Sequence, residues 1–352
     1  MGGMARLLVL GGSWFLGRTV VEDALADGWE VTTFRRGQGG TDVPGVTLIR
    51  GDRTKSEDLN RLAAAGPWDA VVDTSSFVPR ETLAIATALA PVVGRYVLIS
   101  TVSVYEGWPV EPLTENSAVL ECPSDAGPDF GYDGDPGPST YGFGKAGCER
   151  AVAEVFGPDR TVLLRPGVIL GPYEYVGRLP WWLHRVARGG RVLAPGQPSR
   201  SVQPVDVRDV SAFALHTAKA DGPVGTFNVT ANGRETMSDF LTACQRVTES
   251  DATFTWITDE EWLAAQGVAQ WTELPLWRTY RGAWAVDSAK ARESGLTTRP
   301  LFDTATATWA WLRSGTGTVD HERASEQGID PDKERTILDA WDARERSRND
   351  AR

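Results

Sequence analysis

Short apolar runs alternate with amphipathic stretches through the first half of the chain. The first run, residues 7–10, is apolar without alternation, which predicts a strand buried on both faces. The same pattern predicts further strands at 30–34, 46–50, 68–73 and 96–99, and helices from Phe15 and over 56–65, 79–90 and 139–156. The alternation predicts an α/β fold with a doubly wound parallel sheet, whose functional residues lie at the carboxyl ends of the strands.

The turn after the first predicted strand is rich in glycine. Gly11 and Gly12 permit backbone angles closed to other residues, and Gly17 lets the following helix lie close to the strand. N–H groups at the helix start favour a pyrophosphate, although an ordinary strand-to-helix turn without a ligand is the alternative. The predicted dinucleotide site at this turn consists of Gly11, Ser13, Trp14, Phe15, Leu16 and Gly17.

Residues at the ends of the next strands extend this predicted site. Arg35 and Arg36 follow the second strand, where an arginine accommodates the 2′-phosphate of NADP and an acidic residue selects NAD. The two arginines favour NADP, with NAD still possible and a solvated surface pair as the alternative. Asp52, after the third strand, is suited to contact adenine. Thr74 and Ser75, which end the fourth strand, complete the predicted cofactor site.

Composition limits the classes of protein that fit the sequence. The formal net charge of −11 and the lack of a basic patch disfavour binding to nucleic acid. The three cysteines and three histidines are scattered without metal-ligand spacing, which argues against a metal site and for reduced thiols in the cytoplasm. No apolar run reaches transmembrane length and no signal-peptide pattern precedes the first strand, so we expect no membrane partner.

Tyr141 and Lys145 lie four residues apart in a predicted helix, so they share one face about one turn apart. A tyrosine with a pKa near 10 is a poor base at neutral pH, and lowering that pKa by three units takes roughly 4 kcal/mol. An ammonium group about 4 Å away supplies a Coulomb energy of this size at an effective dielectric constant near 20. Lys145 can therefore make Tyr141 an acid/base, whereas the alternative is a solvent-exposed helix pair.

The composition changes sharply between Glu106 and Pro138. Proline, glycine and acidic residues dominate this segment, which contains no lysine or arginine. Such a segment is not expected to form a packed element of its own. We expect either a lid over the carboxyl edge of the sheet or a disordered surface loop.

Several motifs together resemble the extended short-chain dehydrogenase/reductases, the NAD(P)-dependent epimerase/dehydratase group. They are the glycine turn, the strand end 100–105, the Tyr141/Lys145 pair and the segment 164–172, and the similarity runs roughly over residues 7–312. The resemblance implies a Rossmann domain with a smaller C-terminal substrate-binding lobe. It also implies an NAD(P)-dependent enzyme that transfers a hydride at a C–OH or C=O group of a sugar-like or natural-product small molecule, as a ketoreductase or an epimerase.

The resemblance also assigns roles to residues. In this family a Ser or Thr four residues before the strand-end tyrosine binds the substrate oxygen, and counting back from Tyr105 gives this role to Thr101. Tyr141 becomes the acid/base, and Lys145 also holds the nicotinamide ribose. The resemblance also assigns a contact with the substrate to Ser103 and a contact with the cofactor to Pro166.

The chain departs from the family pattern at the glycine turn. Trp14 replaces a glycine there, and the turn also resembles an atypical branch of the family that has chloroplast RNA-binding members. The alternative function is therefore a non-redox nucleotide- or RNA-binding protein. The Tyr141/Lys145 pair and the acidic charge both count against it.

Three parts of the chain are predicted as domains. The Rossmann domain covers 4–166, with 202–231 returning to it, the substrate-binding lobe covers 167–312, and a charged helical tail covers 313–352. We expect the tail to dock on a neighbouring subunit, as in a homodimer, or to aid solubility. The lobe contains arginines and aromatic residues that pack together or bind the substrate, and the contacts predicted there are Tyr173, Trp181 and Arg200.

Overall fold

The structure, a computed structural model, describes residues 4–37, 40–315 and 321–350. Its strands are β1 Arg6–Leu10, β2 Glu30–Arg35, β3 Thr47–Arg50, β4 Trp68–Asp73, β5 Val93–Ile99, β6 Thr161–Pro166, β7 Ile169–Leu170, β8 Arg191–Pro195, β9 Val205–Asp206, β10 Gly225–Val229 and β11 Thr253–Ile257. Its α-helices are α1 Phe15–Ala26, α2 Ser56–Ala64, α3 Pro79–Leu89, α4 Thr140–Phe156, α5 Arg178–Ala187, α6 Val207–Ala218, α7 Met237–Thr248, α8 Glu260–Ala265, α9 Ala289–Glu293, α10 Leu301–Arg313, α11 Glu322–Ser325 and α12 Pro331–Asp350.

A parallel sheet of seven strands forms the first of two compact units. Its order is β10-β6-β5-β4-β1-β2-β3, and every neighbouring pair is parallel. The chain therefore reverses its direction of sheet growth between β1 and β4, as doubly wound folds do, which confirms the predicted fold class. Leu7, Leu8, Val9 and Leu10 are all fully buried, so both faces of β1 are covered.

The first unit contains Met1–Ile169, Gln203–Asn232 and Arg281–Thr298. The predicted Rossmann domain did not include residues 281–298. They join it because Leu113 and Ala285 to Asp287 exchange backbone hydrogen bonds, 2.9 Å from Leu113 N to Ala285 O and 2.8 Å from Asp287 N to Leu113 O.

The second unit contains Leu170–Val202, Gly233–Tyr280 and Arg299–Arg352. Within it β8 and β11 form a parallel pair, and α7 packs against α5 and α10. No helix among the described residues is both long and apolar enough to span a bilayer. The two units are thus a sheet domain and a smaller, mainly helical domain.

Helix α12 is part of this second unit rather than a separate tail. Glu334 on α12 is buried, and its carboxylate accepts hydrogen bonds from Arg185 Nε at 2.7 Å and Leu193 N at 3.0 Å. Ile337, Leu338 and Trp341 are buried as well. The predicted tail region thus contributes to the unit's core, while residues 316–320 and 351–352 of that region lie outside the described residues.

The acidic segment 106–138 is partly packed, which contradicts the predicted disordered loop for this part of the segment, while the lid stays a prediction. Leu113, Leu120, Cys122 and Ala126 are buried in one apolar cluster with Phe143 of α4. The backbone of the segment is also tied down, since Glu106 N donates to Ala118 O and Leu120 N donates to Val104 O. The apolar residues between the acidic ones therefore anchor this part of the segment to the first unit.

Candidate active site

The glycine turn between β1 and α1 has the backbone that the sequence predicted. Gly11 and Gly12 have φ angles of 108° and 95°, in a region that residues with a side chain rarely adopt. A Cβ atom on Gly11 would lie 2.7 Å from Thr74 Oγ1, and one on Gly17 would lie 2.8 Å from the backbone N of Gly12. The turn is therefore a cradle that side chains would fill, and it suits a dinucleotide pyrophosphate at the start of α1.

The other residues of the turn contribute in different ways. Phe15 and Leu16 are buried, so their side chains pack in the core and only their backbone can face a cofactor. The Trp14 indole is 40% exposed and lies over the loop after β2, where a Cβ atom on Gly40 would be 2.5 Å from its Cδ1. Trp14 occupies the N-cap position of α1, and because an indole cannot accept hydrogen bonds, its side chain cannot cap the helix.

The ends of β2 and β3 hold the residues predicted to select the cofactor. The Arg35 side chain is largely buried, and its Nε donates to Asp42 Oδ1 at 2.9 Å, while Arg36 is exposed. Asp52 accepts hydrogen bonds from Thr54 N at 3.0 Å and Thr54 Oγ1 at 2.8 Å. These hydrogen bonds lower the pKa of Asp52. Arg35 is thus already ion-paired within the protein.

Lys145 is the most enclosed of the predicted catalytic residues. It is 3% exposed, and its Nζ donates to the backbone oxygens of Ser76 at 2.8 Å and Ile99 at 2.5 Å. Ser76 lies in the loop after β4 and Ile99 ends β5, so the ammonium group lies at the carboxyl edge of the sheet. Burial lowers the pKa of Lys145, partly offset by the charge of Asp73.

Tyr141 lies one turn before Lys145 and is 48% exposed. Its ring is 6.4 Å from that of Phe77, a residue that sequence reasoning missed and that is itself 55% exposed. The Lys145 Nζ lies 5.3 Å from the centre of the Phe77 ring. An exposed aromatic residue beside a lysine at a sheet edge is visible only once the strands are assembled.

The start of α4 lies directly on the turn after β5. A Cβ atom on Gly142 would lie 2.3 Å from Ser103 O, so glycine is needed for this approach. In that turn Thr101 Oγ1 accepts from Ser103 N at 3.2 Å and lies 3.3 Å from Ser103 Oγ. The structure thus brings Thr101 and Ser103 next to the helix turn that carries Tyr141.

A buried polar network under this site was not predicted. Asp73, the last residue of β4, is fully buried and accepts hydrogen bonds from Tyr96 Oη at 2.7 Å and from the Ser76 hydroxyl. Arg53 Nη2 lies 3.3 Å from Asp73 Oδ1. Burial alone would raise the pKa of Asp73, but Arg53 and these hydrogen bonds hold it below its usual value. Arg53 and Tyr96 lie 20 and 23 positions from Asp73 in the sequence, which hid the network.

The remaining predicted site residues have partners within their own unit. Thr74 Oγ1 donates to Leu10 O at 3.0 Å, Ser75 Oγ accepts from Arg53 at 2.6 Å, and Pro166 ends β6. In the second unit, the predicted substrate contacts pack against neighbours: Tyr173 on Trp311, Trp181 on Trp182, and Arg200 in an ion pair with Glu260. Their contact with a substrate stays a prediction.

Residues 7–230 match the NAD dependent epimerase/dehydratase family. The chain belongs to this family. The predicted resemblance to this family is therefore confirmed. The glycine turn, the sheet order and the edge residues described above are the parts of this family member that fit a nicotinamide dinucleotide.

Two relatives of this family member differ in their described roles. The chain is 24% identical over 258 residues to the chloroplast stem-loop binding protein of 41 kDa b of Arabidopsis thaliana, covering 68% of this chain and 62% of the relative. It is 29% identical over 204 residues to 2′-dehydrokanamycin reductase of Streptomyces kanamyceticus, covering 55% and 53%. The chain therefore matches less than two thirds of the length of either relative.

Solved structures share the fold over most of the chain. The Bordetella bronchiseptica enzyme WbmG in complex with NAD has a TM-score of 0.67 at 19% identity, covering 89% of this chain and 95% of that one. The UDP-glucose 4-epimerase of Thermotoga maritima with UDP-glucose has a TM-score of 0.66 at 18% identity, covering 88% and 99%. At these identities the likeness establishes the shared fold.

Proposed function

We propose that the protein is an NAD(P)-dependent oxidoreductase that transfers a hydride at a C–OH or C=O group of a sugar-like or natural-product substrate. The observation that carries this proposal is the buried Lys145 ammonium group at the ends of β4 and β5, one helical turn after Tyr141. Ser103 lies against the same turn of α4, and its backbone N donates to Thr101 Oγ1. A cation, a phenol and a hydroxyl for the substrate oxygen are thus available at one edge of the sheet.

The charges that develop during hydride transfer determine the roles proposed for Tyr141, Lys145 and Thr101. When an alcohol is oxidised, its carbon gives up a hydride and its oxygen gives up a proton, which the Tyr141 phenolate accepts; reduction reverses both transfers. The phenolate needs a nearby positive charge, and an ammonium group at about 4 Å supplies about 4 kcal/mol at an effective dielectric constant near 20. Thr101 Oγ1 holds the substrate oxygen by a hydrogen bond.

The cofactor of this reaction is a nicotinamide dinucleotide, which supplies or accepts the hydride when bound. The glycine turn would hold its pyrophosphate, since Gly11, Gly12 and Gly17 leave the start of α1 open to a close approach. We propose NADP as the preferred form, because Arg35 and Arg36 follow β2. The 2′-phosphate would compete with Asp42 for the Arg35 guanidinium.

The substrate is proposed to lack a phosphate group. Segment 106–138 begins right after Tyr105 and ends right before α4, and it contains only acidic charges. Such a segment repels a diphosphate and favours a neutral or cationic substrate, such as an amino sugar. The similarity to 2′-dehydrokanamycin reductase supports a ketone of this class.

RNA binding, suggested by the chloroplast stem-loop binding relative, is the weaker candidate. A chain with a net charge of −11 would bring its own negative field against the phosphate backbone. The enclosed Lys145 and its hydrogen bonds also have no use in a protein that only binds RNA. Hydride transfer gives the enclosed Lys145 a role.

A turnover assay with defined probes tests the proposal. The protein is mixed with NADPH or NADH and 2′-dehydrokanamycin, or with NADP⁺ or NAD⁺ and UDP-glucose, and absorbance at 340 nm and products are followed. We expect stoichiometric loss of NADPH absorbance with the amino-sugar ketone. Inversion of the sugar in UDP-glucose with no net change in absorbance would instead identify an epimerase. Failure of both probes with either cofactor, together with tight salt-sensitive RNA binding, would overturn the proposal.

A further inference from the structure

A charged network adjoins the loop that holds Lys145. Its members are Asp73 at the end of β4, Arg53 after β3 and Tyr96 on β5. Asp73 and Tyr96 are fully buried, and the Arg53 side chain is 14% exposed. Tyr96 Oη donates to Asp73 Oδ2 at 2.7 Å, and Arg53 Nη2 lies 3.3 Å from Asp73 Oδ1.

The network is connected to the catalytic lysine through one residue. The Ser76 hydroxyl donates to Asp73 Oδ2 and accepts from Arg53 Nη1 at 3.1 Å. The backbone oxygen of the same Ser76 accepts from Lys145 Nζ at 2.8 Å. Arg53 also donates to Ser75 Oγ at 2.6 Å, so both serines of the loop are fixed. The position of one of the two carbonyls that hold Lys145 therefore depends on Asp73 and Arg53.

We propose that Asp73 and Arg53 are positioning residues for Lys145, acting through Ser76. The inference rests on the proposed function, because it assumes that Lys145 works with Tyr141. The geometry favours a positioning role over a purely stabilising one. A buried ion pair pays a desolvation cost that an apolar pair of similar volume avoids, so it adds little stability in return for its fixed geometry. Here the ion pair fixes Ser76, in the loop after β4, whose backbone oxygen accepts a hydrogen bond from Lys145.

The network also balances charge around the lysine. The charged and titratable groups that act on Lys145 are Asp73 and Glu149, both negative, Arg53, positive, and the thiol of Cys148. Removing the Asp73 charge would leave the Arg53 guanidinium uncompensated near the ammonium group, and a like charge disfavours protonation. The pair can thus be tested through both the position and the charge of Lys145.

Ser76→Ala tests the positional link without changing any charge. The variant keeps the backbone oxygen that holds Lys145 but loses both hydrogen bonds of the hydroxyl. We expect kcat to fall about tenfold and the dissociation constant of NADPH, measured by fluorescence, to rise severalfold, since small displacements of a catalytic group are costly. Ser100→Ala is the matched control, because Ser100 is also buried at a strand end but its hydroxyl has no hydrogen-bond partner among the described residues. It should leave both quantities unchanged.

Asp73→Asn tests the charge. It should move the alkaline limb of the kcat profile to lower pH by about one unit, because the pKa of Lys145 falls when its neighbour loses a negative charge. The NADPH dissociation constant should begin to rise at the same lower pH. The double variant Asp73→Asn/Arg53→Met removes both charges and should return the limb towards its original pH. If Asp73 had only a structural role, Asp73→Asn would lower stability but would not move the alkaline limb, and the double variant would have no shift to reverse.

The outcomes separate this inference from the proposed function. If Tyr141→Phe abolishes turnover but Ser76→Ala behaves like Ser100→Ala, the network does not position Lys145 and only this inference is overturned. If Tyr141→Phe retains full turnover, the proposed acid/base role of Tyr141 fails, whereas the proposed function itself fails if the unaltered protein turns over neither probe. Should Asp73→Asn not fold, Ser76→Ala still decides the question, since it retains the buried ion pair.

Discussion

Lys145 shows how much a single side chain depends on its surroundings. Two backbone oxygens replace the water that would otherwise solvate its ammonium group. Burial lowers its pKa, while Asp73 and Glu149 raise it. The sequence reveals the four-residue spacing to Tyr141, but it does not reveal the two backbone oxygens, because Ser76 and Ile99 lie 69 and 46 positions earlier. Arg53 was not predicted as part of a buried network for a related reason. A charged residue just after a strand is usually solvated, and only the folded structure places Asp73 next to Arg53.

At the same scale, Arg35 and Asp42 test the choice of cofactor. If Arg35 binds the 2′-phosphate of NADP, Arg35→Ala should weaken NADPH binding about tenfold or more and leave NADH binding almost unchanged. Asp42→Asn should strengthen NADPH binding severalfold, because it removes the carboxylate that competes for Arg35. Fluorescence titrations of both nucleotides measure these constants. A ratio of the two affinities that neither variant alters would rule out Arg35 as the selecting residue.

At the level of elements, the sequence predicted the sheet well because its central strands are buried on both faces. β4 begins and ends where the sequence places it, and α1 and α3 begin where predicted. β5 starts three residues earlier than expected, since Gly94 and Arg95 interrupt its apolar run. Gly94 is needed there because a Cβ atom would lie 2.7 Å from Asp69 O. Such contacts between strands leave no signal in a local pattern.

Helix α5 carries an unusual cap that makes a prediction about pH. The buried Glu174 carboxylate accepts hydrogen bonds from Arg178 N at 2.9 Å and Leu179 N at 3.2 Å. Burial raises the pKa of Glu174 to about 7. Because the folded-state pKa exceeds the unfolded value, this group stabilises the fold below pH about 4.5, and that stability is lost as the pH rises towards 7.

Urea unfolding at pH 5 and pH 7.5 measures this effect. The wild-type protein should lose up to about 3 kcal/mol from Glu174 over this range. Glu174→Gln should remove that part of the pH dependence, because the amide does not titrate. Identical pH dependence in the two proteins would contradict the raised pKa.

At the scale of the whole molecule, the sequence predicted poorly which segments join each of the two units. Residues 281–298 join the sheet unit through backbone pairing with Leu113, and α12 joins the second unit through Glu334 and a narrow apolar stripe. The sequence suggested a charged tail because charged residues flank Ile337, Leu338 and Trp341. The family resemblance, by contrast, was visible in motifs that lie far apart in the chain, and the family match over residues 7–230 confirms it.

The cysteines report on the integrity of both units. Cys122 and Cys148 lie in the first unit and Cys244 in the second, and all three are buried free thiols. Burial raises the pKa of each of them, that of Cys148 to about 11. We expect none to react with Ellman's reagent at pH 8 in the native protein and three to react in urea. Rapid reaction of a native thiol would contradict the packing described for its unit.

The most direct test of the account is the rate of hydride transfer in Tyr141→Phe. Tyr132→Phe is the matched control, since Tyr132 is also exposed in the first unit and packs beside Phe143 on α4. Stopped-flow absorbance at 340 nm should show a loss of at least about a thousandfold for Tyr141→Phe, with NADPH binding retained and Tyr132→Phe unaffected. Hydride transfer at the wild-type rate in Tyr141→Phe would contradict the central claim that this phenol, beside Lys145, carries the proton.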